Sequence, residues 1–233
     1  MQRLFSNIDD RIATLRSCRY FDGVDEEILS QLAEDVYLYR YKPGEIIFWE
    51  GGTCAGLHII KSGSVRLFKL SPQGRQLVIK IFNPGESFNE VPVFDGGDNP
   101  INVAAIIQSD IWVVACESIR NAIDEHPEMA QAIILNLSSN LRMLVGLVEE
   151  LSFYQVTNRL ARLISQLPKE QLEGKGDLRL TQDEMAARLG SVREVVARSL
   201  RELERSGAIQ SERGKIQITD GELLKEWAQY PEM

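Results

Sequence analysis

Residues 180–194 read Leu180-Thr181-Gln182-Asp183-Glu184-Met185-Ala186-Ala187-Arg188-Leu189-Gly190-Ser191-Val192-Arg193-Glu194. Thr181 with Glu184, and Ser191 with Glu194, each satisfy the S/T-x-x-E rule of a capping box, in which hydroxyl and carboxylate satisfy the open N–H groups of a helix start. Two helices are therefore expected in quick succession, with Gly190 allowing the tight turn that ends the first. The second carries Val192, Val196, Leu200 and Leu203 along one face and Arg193, Glu194, Ala197, Arg198 and Arg201 along the opposite one. Ile209–Ser211 and Ile216–Thr219, joined across Arg213-Gly214-Lys215, read as a hairpin. Helix, short turn, helix and hairpin make a winged helix-turn-helix.

A helix of this kind fits the major groove of double-stranded DNA. Arg193 and Arg198 are suited to guanine O6 and N7, and Glu194 to cytosine N4. Thr181, Gln182, Arg201, Arg213 and Lys215 are suited to phosphate oxygens. The bland alternative is a solvated face on which Glu202 and Glu204 pair with Arg198, Arg201 or Arg205. Two caps, a helix-turn-helix gap and a following wing favour the DNA reading.

Upstream, Leu160, Leu163, Ile164 and Leu167 mark a helix over 157–167 that Pro168 ends, and Leu172–Asp177, with Gly174 and Gly176, reads as a polar loop. Before that, Ala130, Ile134, Leu137, Leu141, Leu144, Val148 and Leu151 recur in alternating steps of four and three. This is a heptad seam, so a long helix over 128–154 is expected to pair between two subunits, the alternative being a core helix packed within one chain. Its proposed contact residues are Ile134, Leu137, Leu141, Leu144, Val148 and Leu151.

The N-terminal half changes rhythm. Gly52, Gly63, Gly74, Gly85 and Gly96 recur at constant spacing, and between glycines lie Ile46–Trp49, Leu57–Ile60, Val65–Phe68 and Leu77–Phe82. Val103–Ile107 and Ile111–Val114 extend the series. Short strands with regular turns indicate a β-sandwich or barrel. Residues 24–34 read as a leading helix capped by Asp25.

The 233-residue chain carries a net charge of −8, which on its face speaks against a nucleic-acid partner. Residues 1–155 hold 13 basic and 21 acidic side chains, whereas the remainder holds 13 of each, so the excess lies entirely outside the helix-turn-helix part. The first residues do not read as a secretory signal and no run is expected to reach the length of apolar residues that a membrane helix needs, so the cytoplasm is the expected location. Cys18, Cys54 and Cys116 stand far apart and are expected to be reduced and mostly buried. Two histidines, no metal-spaced Cys/His set, no P-loop and no Rossmann glycine signature argue against an enzyme. A small-molecule carrier containing a β-roll is the remote alternative.

Together these segments resemble the family of the cyclic-AMP receptor protein and the fumarate–nitrate regulator, over nearly the whole chain. The resemblance is carried by Lys42-Pro43-Gly44-Glu45, Leu57–Val65, Pro84-Gly85-Glu86-Ser87-Phe88-Asn89-Glu90-Val91, Leu151–Val156 and Arg193-Glu194-Val195-Val196-Ala197-Arg198. It implies an α+β chain with an N-terminal β-roll sensor over 1–127, a dimerisation helix and hinge over 128–155, and a winged helix-turn-helix over 156–233. It also implies a homodimer that reads palindromic DNA, of TGTGA type given Arg193, and that meets RNA polymerase.

The sensor departs from the family's nucleotide pattern. Asn89-Glu90 stands where the phosphate cassette has Gly-Glu, and Pro100-Ile101 where it has Arg-Ser or Arg-Thr. Leu144-Val145 replaces the Thr-Ser that reads adenine in the cyclic-AMP receptor. A buried phosphate without a cation costs several kcal/mol, so cyclic AMP is not expected to bind. The altered pocket, built from Asn89, Glu90, Pro100, Ile101, Leu141, Leu144 and Val145, is left for an apolar or aromatic ligand, a haem, or nothing. His58, near Cys54, is the haem candidate, against a structural role; His126 is expected to end a loop. Glu90 is expected to accept backbone N–H groups in its turn. At the hinge, Gln155 stands where the cyclic-AMP receptor has Asp, and Thr157 is expected to cap the next helix.

Overall fold

The computed structural model describes residues 1–127, 129–173, 180–212 and 215–228. Most of the loop read at Leu172–Asp177, and the wing-tip Arg213, lie outside the described residues. The chain divides into two compact units, residues 1–68 with 80–143, and residues 69–79 with 144–233.

In the first unit the elements are β1 (Gln2–Leu4), α1 (Ile8–Ser17), a 3-10 turn (Arg19–Phe21), α2 (Glu26–Glu34), β2 (Val36–Tyr41), β3 (Ile46–Phe48) and β4 (Leu57–Ser62). They continue as β5 (Val65–Leu70), β6 (Gln76–Phe82), β7 (Ser87–Phe88), α3 (Glu90–Asp95), β8 (Asn102–Ala105), β9 (Ser109–Val114), α4 (Cys116–Glu125) and α5 (Met129–Phe153), although residues 69–79 of the β5–β6 hairpin and residues 144–153 of α5 are grouped with the second unit. Two sheets form, of order β1-β2-β9-β4-β7 and β3-β8-β5-β6. The described pairs within them are antiparallel. This is the expected β-roll.

β4 is buried at four successive positions from Leu57 to Ile60. A strand shows no polar alternation when both its faces are covered. Leu57 and Ile59 pack with Leu29, Val36 and Ile119 beneath the helices. Ile60 packs with Phe48, Val65, Phe82 and Phe88 inside the roll. Alternation therefore sends His58 inward too. Gly56 precedes this strand at φ +111°, and a Cβ there would lie 2.4 Å from the Val114 carbonyl oxygen, so only glycine lets β4 approach β9.

Several sequence expectations need correction. Cys54 and Cys116 form a disulfide, leaving Cys18 as the buried free thiol. Their separation of 62 residues hid a proximity that only the roll creates. Asp25 occupies the N-cap position of α2 without a side-chain bond to it. His126 is the C-cap residue of α4, its N–H reaching the Ala122 carbonyl. By length and composition α5 meets the requirement for a membrane span. Its polar side chains are nevertheless used: Asn136 donates to the Arg19 carbonyl at 3.1 Å, and Asn140 to the Glu90 carboxylate.

The second unit contains α6 (Val156–Gln166), α7 (Lys169–Leu172), α8 (Gln182–Arg188), α9 (Arg193–Ser206), β10 (Ile209–Glu212), β11 (Lys215–Ile218) and α10 (Gly221–Ala228). Leu160, Ile164, Met185, Val196, Leu200, Leu203, Ile209, Ile216 and Leu224 make its core. α10 escaped the sequence reading. Its start is held by Asp220, whose Oδ1 accepts the N–H groups of Glu222 and Leu223 at 3.0 Å.

Candidate functional site

The start of α8 is fixed as its sequence requires. Thr181 Oγ1 accepts the Glu184 N–H at 3.2 Å, and Glu184 Oε2 accepts the Thr181 N–H at 2.9 Å. The second box does not form. Val192, rather than Ser191, is the N-cap of α9 and makes no side-chain bond, so Glu194 lies one position short of the place a box requires. The Ser191 N–H instead donates to the Ala186 carbonyl at 2.9 Å, with Gly190 at φ +58°. The turn is thus closed by backbone rather than by a hydroxyl. Buried Arg159 donates through Nη1 to the Leu189 carbonyl, tying this turn to α6.

α9 buries Val196, Ser199, Leu200 and Leu203, which leaves Arg193, Glu194, Arg198 and Arg201 exposed. The carboxylates that could have occupied this arginine face are engaged elsewhere. Glu204 Oε1 accepts the Ser211 N–H at 2.8 Å, which anchors the wing. Glu202 Oε2 lies 2.8 Å from Thr157 Oγ1, itself 2.9 Å from Ser199 Oγ. Thr157 is therefore a buried tie between α6 and α9, and not the expected cap; Gln155 holds the N-cap position of α6. Among the described residues, Arg193 keeps only a long contact of 3.9 Å to Asp183. β10 and β11 pair from Ile209↔Ile218 to Glu212↔Lys215, placing exposed Lys215 at the described end of the wing. Thr181 is exposed and Gln182 half-buried beside it.

In the first unit, Asn89 is the one described non-glycine residue with positive φ, at +74°. Its Nδ2 donates to the Gly56 carbonyl at 3.0 Å. Asparagine tolerates this left-handed conformation better than most residues. As expected, the Glu90 carboxyl accepts a backbone N–H, that of Glu90 itself; it also takes the Asn140 side chain and lies against Tyr20. Burial pushes the Glu90 pKa above the ordinary carboxylate value. Pro100 is exposed and Ile101 packs half-buried on the roll core. On α5, Leu141, Leu144 and Val145 are all exposed, Leu141 by 64%.

Residues 38–126 match the model of the cyclic nucleotide-binding domain, and residues 158–227 that of the Crp-like helix-turn-helix domain. The transcriptional regulator SdrP of Thermus thermophilus is 32% identical over 207 residues, covering 86% of this chain and 97% of that protein. The chain belongs to the Crp/Fnr family. The CRP-like cAMP-activated global transcriptional regulator of Mycobacterium tuberculosis is 29% identical over 210 residues, covering 88% of this chain and 93% of that one. Among solved structures, a transcriptional regulator of the family from Eubacterium rectale superposes with a TM-score of 0.76 at 21% identity, covering 91% and 99% of the two chains. Another Crp/Fnr regulator, from Thermus thermophilus, gives 0.66 at 28% identity, with 82% and 97% covered. This chain is accordingly a DNA-binding transcription regulator, and its relatives are regulators rather than enzymes.

Against the Crp/Fnr frame, His58 is a structural residue. It is 2% exposed, its Nδ1–H donates to the Gly56 carbonyl at 2.9 Å, and its ring stacks on Phe88 at 4.9 Å between centroids. A haem iron would need that ring free on an open side, so these surroundings do not fit haem. Burial drives the His58 pKa down to about 4 from 6.5. The unfolded chain therefore binds a proton across this window that the folded chain refuses, and stability falls as pH drops from about 6.5 towards 4. The drop corresponds to about 3 kcal/mol. Urea unfolding at pH 7 and pH 4.5 is expected to show this loss in the wild type and much less of it in His58→Phe.

Proposed function

We propose that this protein is a cytoplasmic homodimeric regulator that reads a palindromic, TGTGA-like DNA site, with a sensor that has lost the cyclic-AMP contacts. The observation that carries the reading is the exposed Arg193, Glu194, Arg198 and Arg201 face of α9, held behind a capped α8 and beside a wing. Arg193 and Arg198 would read guanines and Glu194 cytosine, while Thr181, Gln182, Arg201 and Lys215 would grip phosphates, with Arg213 alongside them by sequence. RNA polymerase is the further partner that the family resemblance implies.

Dimerisation rests on α5. Ile134, Leu141, Val148 and Leu151 are exposed there together with Leu144, an apolar stripe of a size seldom left facing water. Pairing two such helices about a two-fold axis buries the stripe and sets the two α9 helices about one DNA turn apart, roughly 34 Å. Native mass spectrometry of the protein mixed with a palindromic duplex is expected to show two chains per duplex. One chain per duplex would contradict the reading.

The sensor would be left for an apolar or aromatic ligand, or for none, rather than for a cyclic nucleotide. Exposed Pro100 and apolar Ile101 supply no cation for a phosphate, and Glu90 is already engaged by Asn140. Calorimetric titration with cyclic AMP and cyclic GMP is expected to give no micromolar binding, and micromolar heats from either would overturn this part.

A further inference from the structure

We infer that the Cys54–Cys116 disulfide is a redox site that clamps the sensor cassette, so that a thiol–disulfide couple governs this regulator. The bond joins cysteines separated by 62 positions, and the chain between them contains the whole cassette, from Asn89 to Ile101. Each cysteine stands at the root of a separate set of contacts to that cassette.

Cys54 belongs to the loop between β3 and β4, whose backbone holds both cassette asparagines. The Gly51 N–H donates to the Asn99 carbonyl at 2.9 Å, and the Asn99 N–H to the Gly52 carbonyl at 2.7 Å. Asn99 Nδ2 donates to the Thr53 carbonyl at 3.1 Å, and Asn89 Nδ2 to the Gly56 carbonyl at 3.0 Å. Both asparagines are more than nine-tenths buried, and the Oδ1 of each has no hydrogen-bond partner. Their placement therefore depends on this loop, held from the nitrogen end alone.

Cys116 opens α4. One turn further along, Arg120 donates to the Val93 and Pro92 carbonyls at 2.7 and 2.6 Å and so caps the end of α3, the helix that Glu90 begins. Ser118 Oγ bonds Asp35 Oδ2, which fixes α4 to the end of α2. The disulfide thus joins the two elements that hold the cassette, the loop at one end and α4 at the other. A ligand that ordered the same cassette would act by favouring one conformation. Here a covalent bond does so, and opening it is expected to weaken DNA binding.

Both cysteines are half-buried, which leaves the bond within reach of a small thiol. Structural disulfides are rare in the cytoplasm, where those present are mostly transient or sensing, so this argument rests on the cytoplasmic reading. The step balances as exchange with a dithiol. A reductant thiolate attacks one sulfur to give a mixed disulfide and a cysteine thiolate, and its second thiolate then displaces the other cysteine. The product is two protein thiols and the oxidised reductant.

Full-length protein purified without reductant, alkylated with iodoacetamide under denaturing conditions, is expected to gain one label, at Cys18, and three after dithiothreitol. Three labels before reduction would overturn the inference. Amide exchange in peptides covering 49–56 and 86–96 is expected to speed up at least about fivefold on reduction. Cys116→Ser is expected to exchange at the fast rate with or without dithiothreitol, and equal rates in the two wild-type forms would overturn the clamp. These arms need no DNA and judge the clamp even if the duplex chosen has the wrong bases. On a palindromic duplex, affinity is expected to fall at least about fivefold on reduction in wild type and to be insensitive in Cys54→Ser/Cys116→Ser; equal affinities, with exchange altered, would overturn the coupling to DNA.

Discussion

Replacing Arg193 by alanine is expected to weaken binding to a palindromic TGTGA-type duplex at least about thirtyfold. One bidentate contact to guanine is worth about 1–3 kcal/mol, and a two-fold dimer loses it at both half-sites. The folded state should be indifferent, because Arg193 is exposed and its contact to Asp183 is a long surface pair. The variant should also discriminate less at the base pair it no longer reads. Arg201→Ala makes the contrast. A phosphate contact carries no sequence information, so its loss should weaken all duplexes alike and reduce the dependence of affinity on salt. Fluorescence anisotropy over a salt series measures both, and an Arg193→Ala protein with unchanged affinity would remove the base-reading role.

Leu144→Lys is expected to abolish dimerisation and, with it, tight DNA binding. Leu144 is 42% exposed on the single chain, so lysine there should leave the fold intact, as circular dichroism would show. In a two-fold helix pair the substitution brings two like charges into an apolar seam. Removing such charges from water costs several kcal/mol, with no carboxylate in the proposed seam to offset it. Sedimentation velocity should show a monomer, with duplex affinity falling to the level of non-specific binding. A Leu144→Lys protein that stays dimeric would show that the seam lies elsewhere.

What the sequence disclosed was periodic or local. The Thr181–Glu184 box, the left-handed Gly190 and the wing hairpin are each written in a few neighbouring residues, and they formed. The steps of four and three in α5 were as plain, because a helix repeats its faces. What escaped notice depends on partners far away along the chain. Cys54 meets Cys116, and Glu90 meets Asn140 and Tyr20, through the roll and α5 and not through any spacing. His58 could be aimed only once both faces of β4 were known to be covered. Ser191 misled because a capping pattern one residue out of phase looks the same on paper, while the chain settled the turn with its own backbone.

The charge balance sharpens accordingly. An acidic first part gives little general attraction to phosphate, so the proposed dimer is expected to bind tightly through two correctly spaced α9 helices rather than through one. Anisotropy of the oxidised full-length protein on three duplexes, a palindrome, a single half-site and a scrambled sequence, tests this most directly. The palindrome is expected to bind at least about a thousandfold more tightly than the scrambled duplex, with the half-site far closer to the scrambled one. Equal affinity for all three would contradict the account.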